Sequence, residues 1–416
     1  MMDVLERDFF TDPDLLQDPT PWYVALREHG PVWREPRRGV VVLSGIQETL
    51  GIYADHEHFS AIVGALGPLV PLPHPDPGES WAEVIERRRS EIPMGEMLTS
   101  IDPPRHTRER ALAGKLFTPN RLKENEAFMG TLADELVDEF VASGEIEFGR
   151  AYAKPFTLLV VADLLGVPRE DHEEFRRWLG GGKGNVGNPD GEHGGDQVFA
   201  NLAPSFTRYV EERRADPGED YLSKLAQVRY PDGELPEVEK VVRLASIIFA
   251  AGQETTARLL MAAMRVLAER PALAAELRAD PSGIPNFVEE CLRLEGPIKS
   301  TFRLALEDTK IGDVDVPAGT IVMGSIGAAN RDPRVFDDPD TFDPKRRNAR
   351  RHIAFGHGEH FCPGASLARA EARVSLERLL ARLDDVQLLD PTSLHYAETF
   401  IIRGLESLPL RFRRRD

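Results

Sequence analysis

The sequence predicts a mainly α-helical protein with a small β region, and three observations carry that expectation. Apolar residues recur at three- and four-residue spacing over residues 121–142, 156–165, 198–214 and 368–383, the period of a helix with one buried face. A single stretch, 237–270, lacks proline and has Gly252 as its one glycine. At 1.5 Å per residue it would run about 50 Å, enough to cross the molecule. Short β-like runs then occur near both ends of the chain. Residues 32–33 and 40–43 flank a charged turn with Gly39, and residues 311–316 and 320–323 flank Pro317-Ala318-Gly319.

The chain has 416 residues, a length compatible with two or three domains. A sheet that draws strands from both ends ties it into one unit instead, so a single domain over 1–416 is expected. The acidic first eleven or so residues are expected to be flexible, because they offer little to bury. The formal charge of −18, from 51 basic and 69 acidic residues, leaves no phosphate-neutralising excess and argues against nucleic acid as a partner. The N-terminus has neither a basic start nor an apolar core, and no window reaches the length of a membrane-spanning helix, so no membrane anchor is expected. With only Cys291 and Cys362, a disulfide framework is excluded and a reducing, cytoplasmic setting fits. Residues 64–78, rich in proline, and 180–195, with eight glycines in sixteen residues, read as surface loops or as a lid.

The most informative stretch is Phe355-Gly356-His357-Gly358-Glu359-His360-Phe361-Cys362-Pro363-Gly364. Its glycines prescribe a tight backbone. The residues from Ala365 to Leu383 read as an amphipathic helix with Pro363 in its first turn. Cys362 would then sit at a helix N-terminus, where free amides and the helix dipole favour a thiolate. A flat cofactor pressed on the loop would explain why Gly358 and Gly364 lack side chains. Three chemistries compete. A zinc site could use His357, His360 and Cys362, but no second ligand pair follows. A nucleophile would need a base and an oxyanion hole, and neither is assignable. A haem thiolate ranks first.

The pattern Phe355-x-x-Gly358-x-His360-x-Cys362-x-Gly364 resembles the haem-binding signature of the cytochrome P450 family, and the similarity runs from about Asp12 to Arg411. The resemblance implies the family's fold, with the long helix crossing the molecule over haem b (iron protoporphyrin IX). Cys362 would be the iron ligand, with Phe355, Gly356, His360, Gly364, Ala251 and Gly252 against the cofactor. Glu290 and Arg293, three apart on one helix face, resemble the family's buried Glu-x-x-Arg pair. Thr341 stands where many members carry arginine or histidine, which leaves the third partner of that pair unassigned.

Within Ala251-Gly252-Gln253-Glu254-Thr255-Thr256, Gly252 would vacate space, Thr255 would supply a hydroxyl and Glu254 would relay protons from solvent. Proton delivery into a dry pocket needs such an acid and alcohol. For the two haem propionates the resemblance implies His106 and Arg110, four apart on one helix face, with Arg303 and His360.

The activity implied is a monooxygenase that inserts one atom of O2 into a hydrophobic small molecule; a haem sensor or carrier without turnover is the alternative. No flavin or iron–sulfur motif is present in the chain, so electrons would come from a separate ferredoxin and its reductase. A basic run at 345–351, with Arg105, Arg108, Arg110 and Lys115, is the expected docking face. The substrate pocket is expected from Ile248, Phe249, Ile298, Phe400 and Ile401, and Lys299 is expected to face solvent. A monomer is expected.

Overall fold

The structure is a computed structural model that describes residues 3–178 and 194–415. Fifteen α-helices occur among the described residues. The first ones, α1 (Pro13–Gln17), α2 (Thr20–His29), α3 (Ile46–Ala54) and α4 (Trp81–Arg88), are short. The sequence marks their starts: Asp12 caps α1 ahead of Pro13, and Ser80 and Glu83 form a reciprocal capping box on α4. Phe9 and Phe10 are each 1% exposed, so the chain is packed at these two positions.

The helical body follows: α5 (Arg105–Gly114), α6 (Pro119–Phe140), α7 (Lys154–Leu165), α8 (His172–Trp178), α9 (Gly194–Ala215), α10 (Tyr221–Ala226), α11 (Val238–Glu269), α12 (Pro271–Ala279), α13 (Ile284–Glu295), α14 (Ile326–Ala329) and α15 (Ala365–Arg382). Thr118 caps α6 with Pro119 at its first position, and α7 stops at Gly166, whose φ of +84° suits glycine. The long helix α11 has 32 residues, about 48 Å. It packs against α7 and α9, and its apolar residues enter the largest core cluster with those of α6, α13 and α15. The expected lid segment lies outside the described residues over 180–193.

Three sheets complete the fold. Strands β1 (Val32–Arg34), β2 (Val41–Leu43), β3 (Phe59–Ser60), β5 (Thr301–Ala305) and β8 (Ile321–Gly324) form one sheet in the order β1-β2-β8-β5-β3. Strands β4 (Glu145–Glu147), β9 (Leu383–Leu388) and β10 (Pro409–Arg414) form a second. The pair β2 and β8 runs parallel, Val41 opposite Val322; this is the link between chain ends that the sequence anticipated. Two expectations need correction. Residues 311–316 are not one strand: β6 (Thr309–Ile311) and β7 (Val314–Val316) fold on Gly312 and Asp313 into a separate hairpin. The strand that pairs antiparallel with β8 is β5, which alternation alone did not reveal.

Candidate active site

Cys362 lies two residues before Gly364, the N-cap of α15. Its N–H donates to Phe355 O at 2.9 Å, and Ala365 N–H returns to Cys362 O at 3.3 Å, which fixes the loop as a knuckle. Pro363 precedes the helix instead of occupying its first turn. Burial pushes the thiol above its ordinary value, against the pull of the Gly364 amide, of Arg110 and Arg369, and of the Ala365 amide. A cation bound at the sulfur would favour the thiolate.

At Gly358, φ is +67° and a Cβ would stand 2.7 Å from Tyr53 O, so this position lets the loop approach the backbone of α3. At Gly252 a Cβ would stand 2.9 Å from Val161 Cγ2 of α7. Its lost side chain brings two helices together. Gly364 does face the sulfur, its hypothetical Cβ 3.9 Å from Cys362 Sγ.

His106, Arg110, Arg303 and His360 are brought together from α5, β5 and the cysteine loop. The imidazoles of His106 and His360 stack with centroids 4.1 Å apart. Both nitrogens of His106 and Nε2 of His360 are buried without a hydrogen-bond partner. Burial, then the charge of Arg110, pushes His106 down to about 4; the half-exposed Glu359, 3.7 Å from its Nδ1, pulls weakly the other way. The Arg303 guanidinium lies 5.0 Å over the ring of Tyr53 and donates to its neighbour's carbonyl, Phe302 O, at 2.8 Å. Arg110 donates to Phe361 O.

Four donors crowded together, with orphaned ring nitrogens, fit a ligand bearing carboxylates. Ala251, exposed in mid-helix between the buried Phe249 and Thr256, leaves an apolar face open on α11. The residues present thus fit haem, with a thiolate ligand at Cys362 and propionate partners at the cluster.

On α11, Thr255 Oγ1 donates back to Ala251 O at 2.8 Å. Glu254 pairs with Arg258 at 2.6 Å. Thr157 of α7 donates to Gln253 O at 2.7 Å, which fastens the polar turn from behind. A buried acid that the sequence reading missed, Glu371 of α15, has neither carboxyl oxygen in hydrogen-bonding geometry. Burial pushes it up to about 8, against the Thr256 hydroxyl.

The expected pocket residues fall in two core clusters. Ile248 and Phe249 belong to the helical core, where Phe249 meets Phe175 of α8 at 5.2 Å and Phe206 of α9 at 6.3 Å. Phe400, Ile401 and Ile298 belong to a second cluster, in which Phe400 packs on Phe10 at 5.5 Å and Phe302 at 5.9 Å. Lys299 is not solvent-facing: it is 1% exposed, donates to Leu16 O at 3.3 Å, and is pushed by burial down to about 7.

The Glu290–Arg293 pair is fully buried at 2.7 Å. Its third partner is Arg346, whose Nε reaches Glu290 Oε1 at 3.1 Å. Thr341 contributes its carbonyl to both arginines. Arg346 therefore does not belong to an exposed basic run. Beside this triad, the buried Glu289 receives His352 at 3.0 Å, Arg369 at 2.7 Å and Arg350 at 3.2 Å. Arg369 lies over Phe355 at 4.5 Å.

Comparison with known proteins agrees with this geometry. Residues 284–390 match the family model for cytochrome P450. The cytochrome P450 monooxygenase PikC of Streptomyces venezuelae is 33% identical, over 96% of this chain and 92% of its own length. The vitamin D(3) 25-hydroxylase of Pseudonocardia autotrophica is 33% identical, over 95% and 94%. The solved structure of substrate-free cytochrome P450 CYP150A6 of Mycobacterium marinum superposes with a TM-score of 0.92 at 46% identity, covering 99% of this chain and all of that one. A cysteine knuckle, a carboxylate-seeking cluster and full-length likeness to such enzymes lead to one conclusion: this chain belongs to the cytochrome P450 family and is a haem b monooxygenase.

Proposed function

We propose that the protein hydroxylates a hydrophobic small molecule of steroid, terpenoid, fatty-acid or polyketide size, using electrons from a separate acidic ferredoxin. Haem b, when bound at Cys362, supplies the redox chemistry by which one oxygen atom of O2 enters the substrate and the other leaves as water. The chain's own residues do the rest. His106, Arg110, Arg303 and His360 hold the propionates. The Thr255 hydroxyl donates to Ala251 O, which leaves its lone pairs free to take a proton passed on by Glu254.

The observation that carries the electron-transfer reading is Phe361. It neighbours Cys362 in sequence, is 44% exposed, and edges a surface hollow of about 390 Å³ with Arg350, His352, Phe355, Gly356 and Arg369. An exposed aromatic within a basic rim, on a chain of net charge −18, suits a small acidic protein. Of the run at 345–351, Lys345, Arg347, Arg350 and Arg351 are exposed; Lys345 reaches Glu276 at 2.7 Å and Arg350 reaches Glu289 at 3.2 Å. Arg105, Arg108 and Lys115 fit the role less well: they are taken up by Glu96 and Glu109, by Asp232 and Glu234, and by Arg229 O.

No helix among the described residues is long and apolar enough to cross a membrane, and we place the reaction in the cytoplasm, beside such a donor. The substrate class rests on the likeness to a vitamin D(3) 25-hydroxylase and on the apolar residues around Phe400 and Ile401. Reduction by a ferredoxin should slow several-fold in the double variant Arg347→Glu, Arg350→Glu, with a flatter salt dependence. Unchanged rate and slope would overturn the docking face. A panel of sterols, fatty acids and macrolides, screened for the absorbance shift on binding and then for oxygenated product, tests the substrate class.

A further inference from the structure

Arg258 stands one helical turn beyond Glu254 on α11 and has no counterpart in the motifs read from the sequence. Its guanidinium holds Glu254 with two nitrogens, Nε at 3.1 Å and Nη2 at 2.6 Å. The third nitrogen, Nη1, donates to Gly404 O at 3.1 Å. Ion pairs four apart on a helix are ordinarily weak and mobile. This one is different because its arginine side chain is only 11% exposed and is tied to a second element.

That second element is the C-terminal loop. Gly404 O also accepts Ala397 N–H at 2.9 Å and so closes the base of residues 397–404. Within the loop, Thr399 Oγ1 accepts from Ile402 N at 2.8 Å and Ile401 N at 3.3 Å. The tip is therefore braced by its own bonds, and it carries Phe400 and Ile401. Gly404 leaves room for the arginine: a Cβ there would stand 2.5 Å from Arg258 Cδ. A chain of direct contacts thus runs from the loop to the acid, through one side chain.

We infer that Arg258 is a positioning residue that couples the C-terminal loop to the orientation of the Glu254 carboxylate. This rests on the reading of Glu254 as the proton-relay acid and of Phe400 and Ile401 as pocket residues. A substrate that shifts Phe400 or Ile401 moves the loop base, the base carries Arg258, and the carboxylate follows. Proton delivery would then be tuned by what occupies the pocket, with no contact between substrate and acid.

The test uses the full-length haem-loaded protein, reduced with dithionite and saturated with carbon monoxide, which needs neither substrate nor donor. The infrared stretch of the bound carbon monoxide senses nearby polar groups. Relative to the unaltered protein, Arg258→Met should shift or broaden the band, and Arg258→Lys should restore it in part. Gly404→Ala, which crowds Arg258 without touching its charge, should resemble Arg258→Met. Combining Arg258→Met with Glu254→Gln should add nothing to Glu254→Gln alone, as expected of residues acting in series. A band that moves in Glu254→Gln but not in Arg258→Met overturns the coupling, even if melting temperature falls, because a purely structural brace would lower stability only. A band unmoved by Glu254→Gln removes the relay reading and the proposal with it. A carbon monoxide spectrum in the visible that lacks the thiolate signature would instead indict the haem–thiolate assignment. Should Gly404→Ala fail to fold, the methionine and lysine variants decide alone.

Discussion

The charges around Glu290 and those around His106 are built on opposite plans. At Glu290 every charge has a counter-charge: Arg293 and Arg346 on one acid, His352, Arg369 and Arg350 on the neighbouring Glu289. Around His106, two imidazoles and two guanidiniums crowd together with Glu359 3.7 Å from His106 Nδ1, and three ring nitrogens lack a hydrogen-bond partner. A buried ion pair that is internally satisfied belongs to the fold. A buried set of donors without acceptors belongs to a ligand. The contrast teaches which residues hold the protein together and which hold something for it.

That division can be broken by experiment. The largest effect is expected at the satisfied pair. Arg293→Met leaves Glu290 buried beside Arg346 alone and should cost about 3–5 kcal/mol, seen as a lower melting temperature and poor haem content together. Second, Arg303→Leu should separate stability from ligand holding. Removing a buried cation from among donors should leave the haem-free protein as stable or more so. The same change should speed haem transfer to an apo-globin about tenfold, the loss of one charge-assisted hydrogen bond. Equal destabilisation with and without haem would erase the contrast.

The smallest effect is expected at Lys299, which follows neither plan. It has one carbonyl for its ammonium, and burial, then Arg403 and Arg258, push it down to about 7 from 10.5. The unfolded chain keeps that proton up to about 10.5, so the penalty on folding is full below pH 7 and gone above 10.5. Lys299→Met should therefore stabilise by up to about 1 kcal/mol near pH 7, with the gain fading as pH rises. A gain that grows with pH would contradict the burial of this amine.

The contrast also explains what the sequence could reveal. Glu290 and Arg293 were legible because residues three apart on a helix share a face. Arg346 was not, since it lies 56 residues away in a basic run that looks like surface. Lys299 was misread for the same reason: the carbonyl it meets belongs to Leu16, 283 residues earlier. At Gly252 and Gly358 the need for space was legible, but not what fills it, and the neighbours turned out to be Val161 and Tyr53. The five helices expected from periodicity agree to within a few residues with α6, α7, α9, α11 and α15, because their period is local. The hairpin at Gly312 was missed because the two short strands looked like one run. Glu371 left no signal at all, as one acid among many on an amphipathic helix. The propionate cluster came from motif likeness, and its unpaired nitrogens became visible only once the chain was folded.

The parallel pairing of β2 with β8 has a consequence for how the protein is made. Val41 meets Val322, so the early strand has no partner on that edge until some 280 residues more have left the ribosome. At the usual 5–20 residues per second, that is about 15–60 s of waiting. Arg303 and Cys362 arrive later than His106 by a similar interval. A complete cofactor site therefore cannot exist until Cys362 has emerged, long after His106.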